Sequence, residues 1–347
     1  MTYFTIDHGL IPTVLTLSAS HGIGFSLVYA QAIGAAIKWF LNSNKGLMSS
    51  IAVAGYGFGA AVWIPIETIF VNPKNIEAVN VTFEENADKY FVEGSVLDAV
   101  PKLFLLLGGI FISLQLLGLM LLRTPEKDDL QETTNFVKKA ASSADGKAEN
   151  LTAFQTISKH EFWLLWLIFM SIQMMQSFVN SYQKTYGQKF IQDDFYFSYV
   201  GLASNILNGL SRIGWGLFFD LRGFKFNAYV IGGVSTFLTW TFLLLYVIET
   251  EMAQKVFFGL WLCGFYAFFP GIYATMAPVT QATFGHLNYS RDYGLLFTQS
   301  MVGSLVLIIS AQFLFQYIGY VGMFSICGCV GLFGLLSIWR FPAGKHE

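Results

Sequence analysis

Apolar residues run along this chain in blocks too long for a soluble core. Stretches such as 104–122, 162–175 and 301–315 approach the roughly 20 residues needed to cross ~30 Å of hydrocarbon. Reading the apolar blocks against their polar interruptions predicts nine spans, at 10–40, 46–70, 101–122, 161–183, 195–219, 226–248, 253–277, 293–316 and 319–339. Lipid offers the backbone no hydrogen-bond partner, so spans of this length are expected as helices and the fold class as an all-α membrane protein.

Two polar inserts interrupt the pattern. Residues 72–100 carry Glu77, Glu84, Glu85, Asp88, Glu93 and Asp98; residues 123–159 carry Lys127, Lys138, Lys139, Lys147 and Lys159. Under alternating crossing Lys38, Lys45, the second insert, Arg222, Lys225, Arg291, Arg340 and Lys345 share one side, which short-loop positive charge marks as cytoplasmic. Lys184 and Lys189 run against this rule. The acidic insert is then outside, and its Asn80-Val81-Thr82 is the one glycan acceptor match on that face. The run from Ala140 to Gly146 cannot bury a core. The expected organisation is a partial N-terminal bundle of three helices at 1–123, a cytoplasmic linker at 124–159 and a C-terminal six-helix bundle at 160–347, with linker and C-terminus cytoplasmic. Many transporters consist of two six-helix halves built of three-helix repeats, and by that plan the first three helices are missing.

Composition sharpens this picture and excludes alternatives. Of 347 residues 54% are hydrophobic and 12% charged, with a mean hydropathy of +0.53, too little charge to cover a soluble fold. The net charge of −2 and the lack of a basic stripe argue against nucleic acid. Cys263, Cys327 and Cys329 lie in apolar segments without a disulfide framework or metal-ligand spacing. Neither a nucleophile and base pair nor an intramembrane His/Asp/Glu cluster supports an enzyme, and no cofactor or obligate protein partner is implied.

Arg212 carries the most chemistry. It stands eight positions before Asp220, where its span meets the polar surface, hence roughly 12 Å deep. An arginine at that depth costs at least ~2.5–3.5 kcal/mol and is expected to face a protein-lined or wet cavity. A guanidinium can hold a carboxylate through two parallel hydrogen bonds, so a small organic anion is the expected ligand. Asn208, one turn earlier, points the same way. Gln173, Gln176, Asn180 and Gln183 form a polar stripe on one helix face, expected to line the cavity or to bond packed helices.

The stretch Gly216-Leu217-Phe218-Phe219-Asp220-Leu221-Arg222-Gly223-Phe224-Lys225 resembles the loop motif of the major facilitator superfamily, whose acid and base latch neighbouring helices. Leu221 departs from the usual basic residue. More of the chain resembles the oxalate/formate antiporter and monocarboxylate-porter branch, through Ala35 to Phe40 with Lys45-Gly46-Leu47, Ile51 to Ala60, Asn208 to Arg212 and Tyr293 to Thr298. The resemblance implies a major-facilitator-type helical bundle of about nine transmembrane helices, transporting monocarboxylates, formate or oxalate by rocking about a central site. It implies Arg212 as carboxylate anchor, with Tyr29, Tyr56 and Tyr266 closing the cavity and Asp220 and Arg222 gating, while the stripe places Gln176 among the substrate-lining candidates. Where oxalate exchangers carry a lysine this chain has Ser300, after Gln299, so a monoanion or a neutral-ended acid is favoured. Where proton-coupled porters carry an aspartate it has Asn208, so exchange or facilitated diffusion is favoured. The competing expectation is a non-transporting, N-terminally truncated membrane protein.

Overall fold

The computed structural model describes residues 1–39, 45–74, 76, 79–83, 86–121, 151–191, 193–285 and 288–342. Most of the expected linker and the side chain of Asn80 lie outside these residues. The main helices are α1 (Ser20–Trp39), α2 (Lys45–Val71), α3 (Ala99–Leu121), α4 (Ala153–Ser158), α5 (His160–Gly187), α6 (Asp194–Thr241), α7 (Glu251–Phe268), α8 (Gly271–Phe284) and α9 (Tyr289–Arg340). Contacts group the chain into two compact units, Met1–Tyr29 with Gly59–Thr124 and Ala30–Phe58 with Pro125–Glu347, so α2 contributes to both.

In the first unit the apolar windows of Leu10–Ile33 and Gly94–Leu121 are entirely unburied. Leu119, Met120 and Leu121 stand exposed at the end of α3, a surface suited to hydrocarbon and not to water. Trp63 of α2 packs edge-on against Phe111 of α3 at 4.8 Å. The acidic insert, expected as a loop, instead contains an antiparallel hairpin of β1 (Val79–Phe83) and β2 (Asn86–Tyr90), with Val79 opposite Tyr90 and Phe83 opposite Asn86. Val79, Val81 and Phe83 alternate along β1, a period-2 signal obscured in the sequence by the surrounding carboxylates.

In the second unit α5 is the central rod. Its buried positions Leu165, Ile168, Phe169, Ile172, Met175, Phe178 and Val179 recur at helical spacing and form a broad apolar face. Phe178 meets Phe324 of α9 at 4.8 Å, and Phe324 meets Phe242 at 5.2 Å. Phe242 in turn stacks on Trp261 of α7 at 3.9 Å. Glycines let α9 approach α5 closely: a Cβ on Gly334 would lie 2.8 Å from the Ser171 Cβ, and one on Gly303 3.1 Å from the Met174 Cγ.

Seven segments among the described residues are long and apolar enough to cross a membrane, two fewer than the nine expected. The difference arises at two glycines. Gly223 has φ 73° inside α6 and Gly319 has φ 58° inside α9, a left-handed conformation that glycine adopts without a Cβ clash. The chain doubles back at each. Phe197, near the start of α6, and Phe242, just past its end, both touch Phe258. Gly303 and Gly331, on either side of Gly319, both pack against the Met174–Met175 level of α5. Segments 195–246 and 289–340 therefore each fold as two antiparallel rods within one uninterrupted run of hydropathy. The segment Glu251–Phe284 is broken the other way, by Pro270, which lacks the N–H needed to continue α7 into α8.

The start of α6 is fixed electrostatically. Asp193 caps it by accepting from the Tyr196 N–H at 3.0 Å, and Lys255 of α7 bridges Asp193 at 2.9 Å and Glu251 at 3.1 Å. The Tyr196 N–H first, and the Lys255 ammonium second, hold the Asp193 carboxyl below its ordinary value. A lowered folded-state value means the carboxylate stabilises the fold above the ordinary aspartate range, near 3.9, and that this contribution fades as pH falls through the folded-state value. Asp193→Asn keeps a cap oxygen but not the charge. Detergent-solubilised variant and wild type should therefore differ in melting temperature at pH 7 and converge as pH falls through the lowered folded-state value of Asp193.

Candidate functional site

Arg212 sits in the first rod of α6, 1% exposed, among the largest fully buried side chains. Its Nε donates to Asn208 Oδ1 at 3.0 Å, the i, i−4 geometry expected of one helix face. Its Cζ lies 5.5 Å from the Tyr56 ring centroid of α2 and 5.1 Å from that of Tyr273 of α8. Nη1 is buried and makes no hydrogen bond. The cation is therefore enclosed by protein, the protein-lined form of the expected cavity; side chains hold it, and it is not spent on backbone carbonyls. Two aromatic faces stabilise a desolvated guanidinium by about 1–2 kcal/mol each without neutralising it. An unpaired buried donor costs about 1–3 kcal/mol, more when charged, so the site is poised for an acceptor, anionic for preference.

Local sequence explains how the helices come this close. A Cβ on Gly57 would lie 2.9 Å from the Gly209 Cα and 3.1 Å from the Arg212 Nε, and one on Gly209 would strike the Phe58 ring. The α2–α6 crossing thus needs glycine on both sides to make room for the guanidinium. Pro270 supplies the next constraint: having no N–H, it leaves the Tyr266 carbonyl, four residues earlier, without its helical donor, and the Ser211 hydroxyl donates to that carbonyl at 3.3 Å. The residue beside Arg212 is thereby tied to α7.

The glutamine and asparagine stripe of α5 bonds to three different helices. Gln173 accepts from Gln299 Nε2 at 2.8 Å and from Ser300 Oγ at 2.7 Å, both on α9. Gln176 accepts from the Tyr273 hydroxyl of α8. Asn180 accepts from the Tyr266 hydroxyl at 2.8 Å, and Gln183 Nε2 lies 3.5 Å from the same oxygen. Of the two expected roles, bonding packed helices is the one displayed. Gln299, Ser300, Gln176 and Tyr266 accordingly take part in contacts along the α5 stripe rather than bonding the guanidinium, while Asn208 and Tyr56 reach Arg212 directly. Tyr56 is 62% exposed and forms the outer side of the site. Tyr29 belongs to the first unit, where its ring stacks on Phe25 at 4.7 Å. The reading of residues alone missed Tyr273. Its signal was the i, i+7 spacing from Tyr266 across Phe269-Pro270, masked by the abundance of aromatic residues.

The loop motif closes the first rod of α6, at the Gly223 turn. Asp220 accepts from the Gly46 and Leu47 N–H groups, each at 2.9 Å, satisfying two orphan donors at the start of α2. On the other side of the turn Lys225 Nζ donates to the Phe341 carbonyl at 3.1 Å and lies 3.5 Å from that of Trp339, at the end of α9. One turn thus places an acid at a helix N-terminus and a base at a helix C-terminus, each complementary to the local dipole. Arg222, expected as the basic partner, is exposed and its guanidinium lies 5.9 Å from the Phe226 ring; Lys225 provides the basic contact. A buried acid overlooked in the sequence, Asp292, accepts from Arg291 Nη2 at 2.7 Å and Thr156 Oγ1 at 3.1 Å, binding α4 to the start of α9.

Taken together, apolar helical segments of membrane-crossing length, antiparallel rods joined at glycines and the enclosed guanidinium of Arg212 define a multi-pass membrane protein built around a charged interior position. The chain belongs to the Major Facilitator Superfamily, which it matches over residues 1–286, as the loop motif led us to expect. It is 24% identical to apicoplast pyruvate carrier 1 of Toxoplasma gondii over 97% of this chain and 65% of that protein. It is 22% identical to the oxalate:formate antiporter of Oxalobacter formigenes, over 85% of this chain and 61% of that one. With the uncharacterized MFS-type transporter YhjX of Escherichia coli K12 it shares 21% identity over 87% of this chain and 66% of that protein. The chain thus spans under two thirds of the length of each of these relatives.

The helix-end contact of Asp220 is directly testable. Asp220→Ala removes the acceptor for two N–H groups, and cap losses of ~1 kcal/mol correspond to roughly five-fold faster local opening. Hydrogen exchange should accelerate by about that factor in peptides covering 45–50 and stay unchanged in those covering 160–187.

Proposed function

We propose that this chain is the core of a secondary transporter of small organic anions, with monocarboxylates of the pyruvate, lactate or formate type as the favoured solutes. The observation that carries the reading is the Arg212 Nη1, a charged donor buried without a hydrogen-bond partner. A carboxylate bound there gains charge-assisted hydrogen bonds in a low-dielectric setting, where they are strongest. The names of the pyruvate carrier and the oxalate:formate antiporter support the same solute class. Asn208 cannot carry a proton, which favours exchange or facilitated diffusion over proton coupling. In this reading Asp220 and Lys225 act as the releasable end contacts of a rocking cycle on the cytoplasmic face, and Tyr56 moves to admit solute.

Counterflow of labelled pyruvate, lactate, formate and oxalate in proteoliposomes tests the proposal. Wild-type protein should accumulate at least one monoanion. Arg212→Ala should reduce that flux about 100-fold or more, the scale of a lost buried charge pair of ~3 kcal/mol, and Arg212→Lys should recover little, because an ammonium lacks the planar fork. Flux in Arg212→Ala equal to wild type would remove Arg212 from the binding role. No flux with any of the four anions would favour the non-transporting alternative.

A further inference from the structure

Resting on the anchor reading of Arg212, we infer that Tyr273 and Gln176 form its positioning device, fixing the plane of the guanidinium without cancelling its charge. The Asn208 contact cannot do this alone. Asn208 and Arg212 lie on the same helix, so their bond turns with α6 and constrains only the Nε edge. Tyr273 comes from α8, just past the Pro270 break, and sets its ring 5.1 Å from the Arg212 Cζ. Its hydroxyl donates to the Gln176 oxygen of α5. That bond holds the ring from a third helix and stops it rotating away from the cation.

The chemistry of the pair matters as much as its geometry. An aromatic face attracts a guanidinium through its quadrupole and leaves the full positive charge available, whereas a carboxylate in the same place would neutralise it. Gln176 accepts the tyrosine hydrogen bond as a neutral amide, and its stripe neighbours Gln173, Asn180 and Gln183 are neutral too. Orientation is thereby separated from charge compensation, and compensation is left to the solute. Tyr273 and Gln176 act through Arg212 and are positioning residues, not contacts of the transported anion.

A double-mutant cycle read in KM and Vmax tests this, using whichever anion gives Arg212-dependent counterflow. Tyr273→Leu removes the ring and should raise KM about ten-fold with little change in Vmax, in line with a desolvated cation–π contact. Tyr273→Phe keeps the ring and removes the hydroxyl that donates to Gln176, and Gln176→Leu removes the acceptor of that bond. Each should raise KM roughly three-fold, and the double variant should be no worse than either single one, because all three lack the same bond. Multiplying KM effects in the double variant would overturn the inference. So would a wild-type KM in Tyr273→Leu while Arg212→Ala abolishes flux. If Tyr273→Leu does not fold, the cycle of Tyr273→Phe with Gln176→Leu decides alone. Wild-type flux in Arg212→Ala would instead defeat the anchor reading, leaving the pair nothing to position.

Discussion

The constraint on which this structure depends is a guanidinium taken out of water and not neutralised. Placing it among helices costs several kcal/mol, and that cost is offset only in part by Asn208 and the two tyrosine rings. Features that look unrelated in the sequence serve this arrangement. Gly57 and Gly209 allow α2 and α6 to meet beside the cation, since a Cβ at either position collides with backbone or with Phe58. Ser211 ties the same turn of α6 to the carbonyl that Pro270 leaves vacant. Loss of any of these contacts would leave a buried charge less supported, a costlier outcome than losing an ordinary apolar contact.

The ends of the helices follow a different rule, complementarity to the macrodipole. The turn at Gly223 sends Asp220 to the N–H groups of one helix and Lys225 to the carbonyls of another. Both contacts are partly solvent-exposed, so each is weak, and weak end contacts can be broken and remade far more readily than the aromatic core of Phe178, Phe242 and Phe324. In the transport reading this division is useful: the rods stay rigid while their ends part.

Much of this was legible in the sequence, and for physical reasons. Lipid forbids unsatisfied backbone, so long apolar runs announce their helices, and a lone arginine within one announces itself by its cost. Asn208 followed from Arg212 by helix geometry. Tyr273 was not legible because a ring that packs and a ring that holds a cation have the same local pattern. The basic contact of the turn shifted from Arg222 to Lys225 because Gly223 adopts φ 73°, which redirects the chain after Arg222. The hairpin in the acidic insert escaped notice because charge patterning there masked a five-residue alternation. The polar stripe on α5 was seen, yet its partners were not, since spacing along one helix says nothing about which neighbours its amides will meet.

Those amides bear on solute charge. Among the described residues Arg212 is the one buried cation, and neutral Gln173, Gln299 and Ser300 bond one another where a second cation would serve a dianion. In the proposed reading a monoanion entering the enclosed site forms a neutral pair with Arg212, so the desolvation cost of each charge is set against their mutual attraction. A dianion in the same space keeps one unpaired negative charge, at an effective cost of several kcal/mol per ion. Selectivity for singly charged solutes then needs no shape discrimination between small carboxylates. It follows from counting charges beside a guanidinium that is 1% exposed.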